Sequence, residues 1–272
     1  MLKERYLILN DGSIYQGYAF GHDSESIGEV VFNTSMTGYQ EMLTDPSYRG
    51  QILVSTYPMI GNYGIDSSFS ESSKVQVKSY VVRDLCDYPF HFSNNKDLNE
   101  FLTENEIPGI HSVDTRSLTR KIRRFGSKMA ILTDNSDLNV ALEKINKFGS
   151  YEENNYVDQV SVKKIKNYEV KNSNLNIALI DFGVKKNIIR LLNSRGCNVE
   201  VYPWNFDFNN LDLKRFDGIV MSPGPGDPKT LLNDIKGIKK CIEIVPSLGI
   251  CLGHQIIAHI YGGETFKLLF GH

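Results

Sequence analysis

The chain has 272 residues, of which 41% are hydrophobic and 23% charged, a composition typical of a globular protein with about two domains. Its net charge of −2 excludes a strong general attraction to nucleic acid or anionic membranes. No apolar run approaches the roughly 20 residues that span a bilayer, and the N-terminus does not have a signal-peptide pattern. The four cysteines lie far apart without a Cys-x-x-Cys pair, which predicts a reduced, cytoplasmic protein without a metal site.

Residues 1–150 have the short apolar runs and Gly, Asp and Pro turns of a β-rich domain. The Thr37-Gly38-Tyr39-Gln40 run has a capping-box pattern and predicts the start of a short helix. Asp45 precedes a proline and should end that helix, because such residues disfavour the helical conformation. A second helix is predicted over 117–125, and strands are predicted over 6–9, 29–32, 51–56 and 75–82.

Residues 151–175 are mostly polar and are predicted to be a linker with at most one strand. In residues 176–272, strands alternate with helices, which predicts a doubly wound parallel sheet whose ligands bind at the carboxyl ends of its strands. The fold class is therefore α/β, with a mixed β-rich domain first. Strands are predicted over 177–180, 199–202, 218–221, 246–250 and 264–270, and helices around 188–192, from 228 to 242 and from 252 onward.

The run Gly249-Ile250-Cys251-Leu252-Gly253 lies at one of the predicted strand-to-helix turns. It has the small-x-nucleophile-x-small pattern of a nucleophile elbow, in which a side chain at either glycine would crowd a sharp turn. The thiol of Cys251 would lie at a helix N-terminus, where the partial positive charge favours a thiolate. The backbone N–H of Leu252 would be placed to donate to an oxyanion. A buried structural cysteine is the alternative.

A second turn, Ser-Pro-Gly-Pro-Gly-Asp-Pro at 222–228, follows the strand predicted over 218–221. Its prolines stiffen the loop, and its glycines leave backbone amides open to a ligand. Asp227 is also expected to cap the helix that follows. A nucleotide-binding phosphate loop is excluded because no Gly-Lys-Ser/Thr is present.

Two motifs, Pro-Gly-Pro-Gly-Asp-Pro at 223–228 and Gly-Ile-Cys-Leu-Gly-His-Gln at 249–255, resemble those of class I glutamine amidotransferases. The run Gly-Glu-Val-Val-Phe-Asn-Thr-Ser-Met-Thr-Gly-Tyr-Gln-Glu at 28–41 resembles the signature of carbamoyl-phosphate synthase small chains, as do 44–48, 114–116 and 181–183. The resemblance implies that residues 1–150 are the N-terminal domain of that family and residues 176–272 its amidotransferase domain. It also implies a glutamyl thioester intermediate and a heterodimer with a large chain. That partner would make carbamoyl phosphate from bicarbonate, ammonia and ATP, for pyrimidine and arginine synthesis.

Carried over from the family, Cys251 would be the nucleophile that attacks glutamine. Leu252 and Gly224 would supply oxyanion-hole amides, and Gly226 would shape the same loop. Gln255 would contact the substrate. The resemblance implies no cofactor in this chain and places ATP and Mg in the partner chain. No nucleic acid or membrane partner is implied.

Ser47, within an ordinary Asp-Pro-Ser turn, would reach the glutamine from the N-terminal domain according to the resemblance. The family takes its catalytic base from a histidine that is followed two residues later by a glutamate. None of the six histidines has a glutamate at that spacing, and His254 would point away from its neighbour Cys251. We therefore expect the pair to lie beyond His272, the sequence to be a fragment, and the fragment to be inactive alone.

Two other functions are consistent with the residues. One is a different cysteine hydrolase on the same scaffold, and the other is a non-catalytic docking protein.

The basic stretch at 116–128 is interpreted either as an interface or as a solvated helix face, with the second as the default.

Overall fold

The computed structural model describes residues 2–91 and 95–270. The chain forms two compact units. The first contains the described residues up to Glu153 together with those from Lys267 onward, and the second is Asn154–Phe266.

The first unit is built on a closed barrel of seven strands, which gives the predicted β-rich domain a definite architecture. Two further short strands, β5 at Met59–Ile60 and β7 at Asp84–Leu85, form a separate parallel pair. The strand bounds are β1 Glu4–Leu9, β2 Ile14–Gly21, β3 Ser26–Asn33, β4 Gln51–Ser55, β5 Met59–Ile60, β6 Ser79–Val81, β7 Asp84–Leu85, β8 Pro108–His111 and β9 Lys128–Thr133. The order around the barrel is β1-β2-β8-β6-β4-β3-β9.

The described residues of this unit also form four α-helices: α1 Tyr39–Thr44, α2 Leu98–Glu104, α3 Thr115–Phe125 and α4 Leu138–Phe148. The side chains of strand β1 alternate between two faces, so its apolar residues belong to two separate core clusters. Leu7 and Leu9 belong to the cluster that also holds residues of α3. Ile8 points to the opposite face and packs with Ala141 and Ile145 of α4. The side-chain period of two therefore gives β1 two buried faces.

Helix α1 begins differently from its prediction. Its N-cap is Gly38, with a φ of 87°, and no side chain caps it, so the predicted capping box is wrong. The side chain of Gln40 instead exchanges two hydrogen bonds with the backbone of Asp66. The predicted end is confirmed, because Asp45 has an extended conformation directly after the helix.

The second unit contains a five-stranded sheet with helices around it. Its elements are β10 Lys166–Tyr168, β11 Leu175–Asp181, β12 Cys197–Pro203, β13 Gly218–Met221, β14 Ser247–Gly249, α5 Val157–Val160, α6 Lys186–Ser194, α7 Ile238–Ile244 and α8 Leu252–Ile260. The strand order is β10-β12-β11-β13-β14. Strands β11 to β14 are parallel, and β10 pairs antiparallel at one edge.

Helices cover both faces of this sheet. Leu179 of β11 packs with Ile189 of α6 on one face. Its neighbours Ala178 and Ile180 pack on the other face, in the cluster that holds Ile238 of α7 and Ile256 of α8. This arrangement confirms the predicted doubly wound α/β fold.

Two predicted elements are wrong. The helix expected from residue 228 exists only as α7, because Gly237 has a φ of 79° and interrupts the helical pattern. The strand expected over 264–270 does not form. Leu269 instead accepts a hydrogen bond from Ser127 N at 2.8 Å, and the ring of Phe270 packs 5.8 Å from that of Phe32. The apolar end of this segment is thus covered by the barrel unit.

Within the described residues, no helix combines the length and the apolar character needed to cross a bilayer. The same part of the chain holds no group of three or more His, Cys, Asp or Glu side chains arranged to bind a metal ion.

Candidate functional site

The candidate site is built where three parallel strands of the second unit end at the same edge of the sheet. Strand β13 ends at Met221, whose carbonyl accepts a hydrogen bond from Ile250 N at 3.0 Å. Ser222 N donates to Ile180 O, also at 3.0 Å. These bonds hold the turns after β11, β13 and β14 side by side.

Ser222 is the residue that joins these turns. Its side chain is fully buried; its Oγ accepts from Phe182 N at 2.9 Å and donates to Pro223 O at 2.8 Å. Its carbonyl accepts from Gly253 N at 3.1 Å. Sequence reasoning assigned no role to this residue, although a polar residue directly after an apolar strand was a usable signal.

Asp181, at the end of β11, anchors the neighbouring turn. Its carboxylate accepts hydrogen bonds from the N–H groups of Gly183, Val184 and Val162, at 2.8 to 2.9 Å. Burial raises the pKa of this carboxyl above its usual value, even though the three N–H donors act against that shift. These bonds fix the Asp-Phe-Gly turn against which the Pro-Gly loop packs.

Cys251 forms the tight turn between β14 and α8. Its backbone has a φ of 50° and a ψ of −111°, a conformation that costs a residue with a side chain about 1–3 kcal/mol. The residue is exposed, and it immediately precedes the N-terminus of α8. The backbone thus has the strained geometry predicted for an elbow, with the cysteine side chain accessible.

The glycines on either side of Cys251 are required by close backbone contacts. A Cβ atom added to Gly253 would lie 2.3 Å from Met221 O, and one added to Gly249 would lie 2.7 Å from the carbonyl carbon of Gly253. Neither neighbour is a flexible side chain that could move away. The glycine pattern seen in the sequence therefore has a steric cause.

The two amides expected to bind an oxyanion lie in adjoining backbone segments. A Cβ atom added to Gly224 would lie 2.9 Å from Leu252 Cδ2 and 2.1 Å from Phe182 O, so the loop packs directly against the start of α8. In the part of the chain that the structure describes, neither Leu252 N nor Gly224 N donates to an acceptor. Gly226 completes the loop with a φ of 88°. The catalytic roles of these three residues stay predictions.

Gln255 and His254 are both exposed on the first turn of α8. Gln255 N donates to Cys251 O at 3.0 Å, which places Gln255 one helical turn after the cysteine. No described side chain forms a hydrogen bond with Cys251 Sγ. His259, further along α8, is engaged with Thr265 Oγ1 at 2.8 Å. Among the described residues, no side chain is thus hydrogen-bonded to the thiol as a positioned base would be.

Ser47 belongs to the first unit, whereas the other predicted site residues belong to the second. It lies in a short 3-10 helix, Pro46–Tyr48, and its N–H donates to Asp45 Oδ1 at 2.9 Å. The residue is half-buried. Its assignment to glutamine binding also stays a prediction.

Two protein-family models match this chain. The model described as "Carbamoyl-phosphate synthase small chain, CPSase domain" matches residues 7–132. The model described as "Glutamine amidotransferase class-I" matches residues 178–272. The second match includes the Pro-Gly loop and the Cys251 elbow.

Similar proteins named carbamoyl phosphate synthase small chain match over nearly the whole chain. The protein from Staphylococcus haemolyticus is 46% identical over 273 residues, which cover 100% of this chain and 74% of the relative. The protein from Clostridium perfringens is 44% identical, with 98% and 75% covered. The protein from Archaeoglobus fulgidus is 44% identical, with 98% and 74% covered.

Proposed function

Because this chain belongs to the carbamoyl-phosphate synthase small chain family, we propose that it attacks glutamine through Cys251 and passes ammonia to a large synthetase chain. The observation that carries the proposal is an exposed cysteine in a strained elbow, beside two backbone amides that have no acceptor among the residues that the structure describes. The chain would accordingly act as the glutamine amidotransferase subunit of a carbon–nitrogen ligase.

In the proposed reaction, the thiolate of Cys251 attacks the carboxamide carbon of glutamine. The tetrahedral oxyanion accepts hydrogen bonds from the N–H groups of Leu252 and Gly224, which need not reorganise to donate them. The C–N bond then breaks, ammonia leaves with the proton that the thiol gave up, and a glutamyl thioester remains. Water releases glutamate from the thioester. Gln255 and Ser47 are proposed to hold the substrate.

The large synthetase chain is the proposed partner, and it would use ATP, Mg and bicarbonate to convert the ammonia into carbamoyl phosphate. This chain needs no cofactor for its own part of the reaction, because thiolate attack and thioester hydrolysis require only acid–base help and oxyanion donors. The product would serve pyrimidine and arginine biosynthesis in the cytoplasm.

Purified chain 1–272 is expected to show little steady-state release of ammonia from glutamine. A thiol nucleophile needs a positioned base to form the thiolate and protonate the leaving group, which contributes about 10²–10⁴-fold to the rate. The described residues offer Cys251 Sγ no such partner. Ammonia release should match that of Cys251→Ser in a coupled assay. Turnover near the ordinary enzymatic range, about 1 s⁻¹ or faster, would contradict this expectation.

The proposal itself is tested with a chloroketone analogue of glutamine, because thiolate displacement of chloride does not require protonation of ammonia. We expect the analogue to modify Cys251 faster than a chloroketone without the glutamine part, and free glutamine to slow the reaction. Intact-mass and peptide mass spectrometry would follow the adduct. Equal rates for both reagents, without protection by glutamine, would favour another cysteine hydrolase or a docking protein.

The same protection experiment tests the proposed role of Ser47, with a second serine in a similar turn as the control. Ser47→Ala should raise the glutamine concentration needed for protection about 3–10-fold, the value of one lost hydrogen bond. Ser68 is the control, since its N–H donates to Asp66 Oδ1 in a similar short turn. Ser68→Ala should leave protection unchanged.

A further inference from the structure

Helix α3 of the first unit carries a row of three arginines. Arg116, Arg120 and Arg124 are spaced by four residues, so they lie along one side of the helix over about 12 Å. All three line a surface cavity of about 450 Å³. All the lining residues belong to α3 or to its N-cap, so this cavity, here called the groove, is a shallow depression between side chains of one helix.

The other side of α3 is fixed to the barrel unit. Leu118 and Ile122 are fully buried in the cluster that also holds Leu7 and Leu9 of β1. Asp114 caps the N-terminus by accepting from Ser117 N at 2.9 Å. The arginines consequently project from a rigid element rather than from a loop.

These arginines have no anionic partner among the described residues, where no carboxylate lies within ion-pair distance of Arg116, Arg120 or Arg124. Lys121, which also lines the groove, is different because it forms an ion pair with Asp11 at 3.1 Å. Like charges one helical turn apart repel each other, so the row is unfavourable for the isolated helix. An anionic ligand would relieve that repulsion.

We propose that this groove, lined by the three arginines, docks an acidic segment of the large synthetase chain. The proposal rests on the proposed function for the identity of the partner. Planar guanidinium groups bind carboxylates through paired hydrogen bonds and are more weakly hydrated than ammonium groups. Carboxylates at alternate positions of an extended segment lie about 6.6 Å apart, close to the spacing of about 6 Å between arginines on successive turns.

The groove fits a nucleic acid or a nucleotide less well. Phe125 is an aromatic ring that also lines the groove, but the guanidinium of Arg124 already lies 5.1 Å from its centroid. A base would have to displace that cation to stack. A row of carboxylates needs no such rearrangement.

The test measures binding of the 272-residue chain to the purified large synthetase chain from the same organism, over a range of salt concentrations. The double variant Arg120→Glu/Arg124→Glu should bind at least about tenfold more weakly at low salt and lose most of the salt dependence. The neutral variant Arg120→Gln/Arg124→Gln should give a smaller loss. Thermal unfolding of each variant would verify that the chain remains folded.

Two control variants distinguish a local effect of the groove on binding from a general effect of net charge. Arg123→Glu changes the same helix at a residue that does not line the cavity, and Lys239→Glu/Lys240→Glu makes an equal charge change on α7. Both controls should bind like the wild type. Equal losses of affinity in the controls, or no loss in the arginine variants, would contradict docking at the groove without contradicting the large chain as the partner. Failure of the wild-type chain to bind would overturn both the proposed partner and the groove.

Discussion

Brief alkylation of the native chain with iodoacetamide is expected to modify Cys251 at least about 100-fold faster than Cys197 and Cys241. Cys251 is exposed, whereas Cys197 and Cys241 are buried. A buried thiol reacts only when the surrounding structure opens, and an opening free energy of about 3 kcal/mol already slows the reaction about 100-fold. Burial also raises the pKa of the Cys241 thiol, which lowers its thiolate fraction further.

Cys86 is the internal reference for this experiment because it is half-buried and does not precede a helix N-terminus. Accessibility alone would give it an intermediate rate, while the positive end of α8 should add to the reactivity of Cys251. Timed quenching followed by peptide mass spectrometry gives all four rates from one sample. Unfolding the chain in guanidinium chloride should make the alkylation rates of the four cysteines similar. Equal native rates, or faster labelling of Cys86, would count against the elbow.

Arg5→Ala is expected to lower the free energy of unfolding by about 3 kcal/mol or more. Arg5 is 1% exposed. Its Nε donates to Asp134 Oδ1 at 2.7 Å, and its Nη1 donates to the carbonyl oxygens of His22 and Gly109, each at 3.3 Å. Truncation removes these bonds together with the packing of the buried side chain, although Asp134 keeps Lys3 as an ion-pair partner at 2.7 Å.

Arg83→Ala is the matched control for this variant. The Arg83 side chain is 58% exposed and lies 3.8 Å from Asp84, so its loss should cost less than about 1 kcal/mol. Denaturant unfolding monitored by circular dichroism would compare the two variants. A loss for Arg5→Ala as small as that for Arg83→Ala would show that the buried guanidinium contributes little.

The free energy of unfolding at acidic pH provides a second measurement of the contact between Arg5 and Asp134. Partial burial alone would raise the pKa of Asp134, but hydrogen bonds from Arg5 and Lys3 hold it below its usual value. A carboxyl with a lowered pKa in the folded state stabilises the chain above its unfolded pKa of about 3.9, and that contribution is lost as pH falls through the folded value. Arg5→Ala should therefore reduce the loss of stability below about pH 4.

Several features could be predicted from the sequence because they depend on local chemistry. The strand at Gly218–Met221, the end of α1 at Asp45 and the glycine-flanked turn at Cys251 each depend on a few neighbouring residues. A proline restricts the residue before it, and a sharp turn tolerates only glycine where backbone atoms approach closely. The alternation of strands and helices also determined the doubly wound sheet, because parallel strands need crossover helices.

Other features were decided by contacts between residues far apart in the chain. Gln40 pairs with Asp66 instead of capping its own helix. Ser222 joins the turns that follow β11, β13 and β14. Phe270 packs on the barrel cluster rather than extending the sheet. A polar or apolar side chain takes whichever partner best satisfies it in the folded chain, and sequence spacing contains no information on partners that only folding brings near.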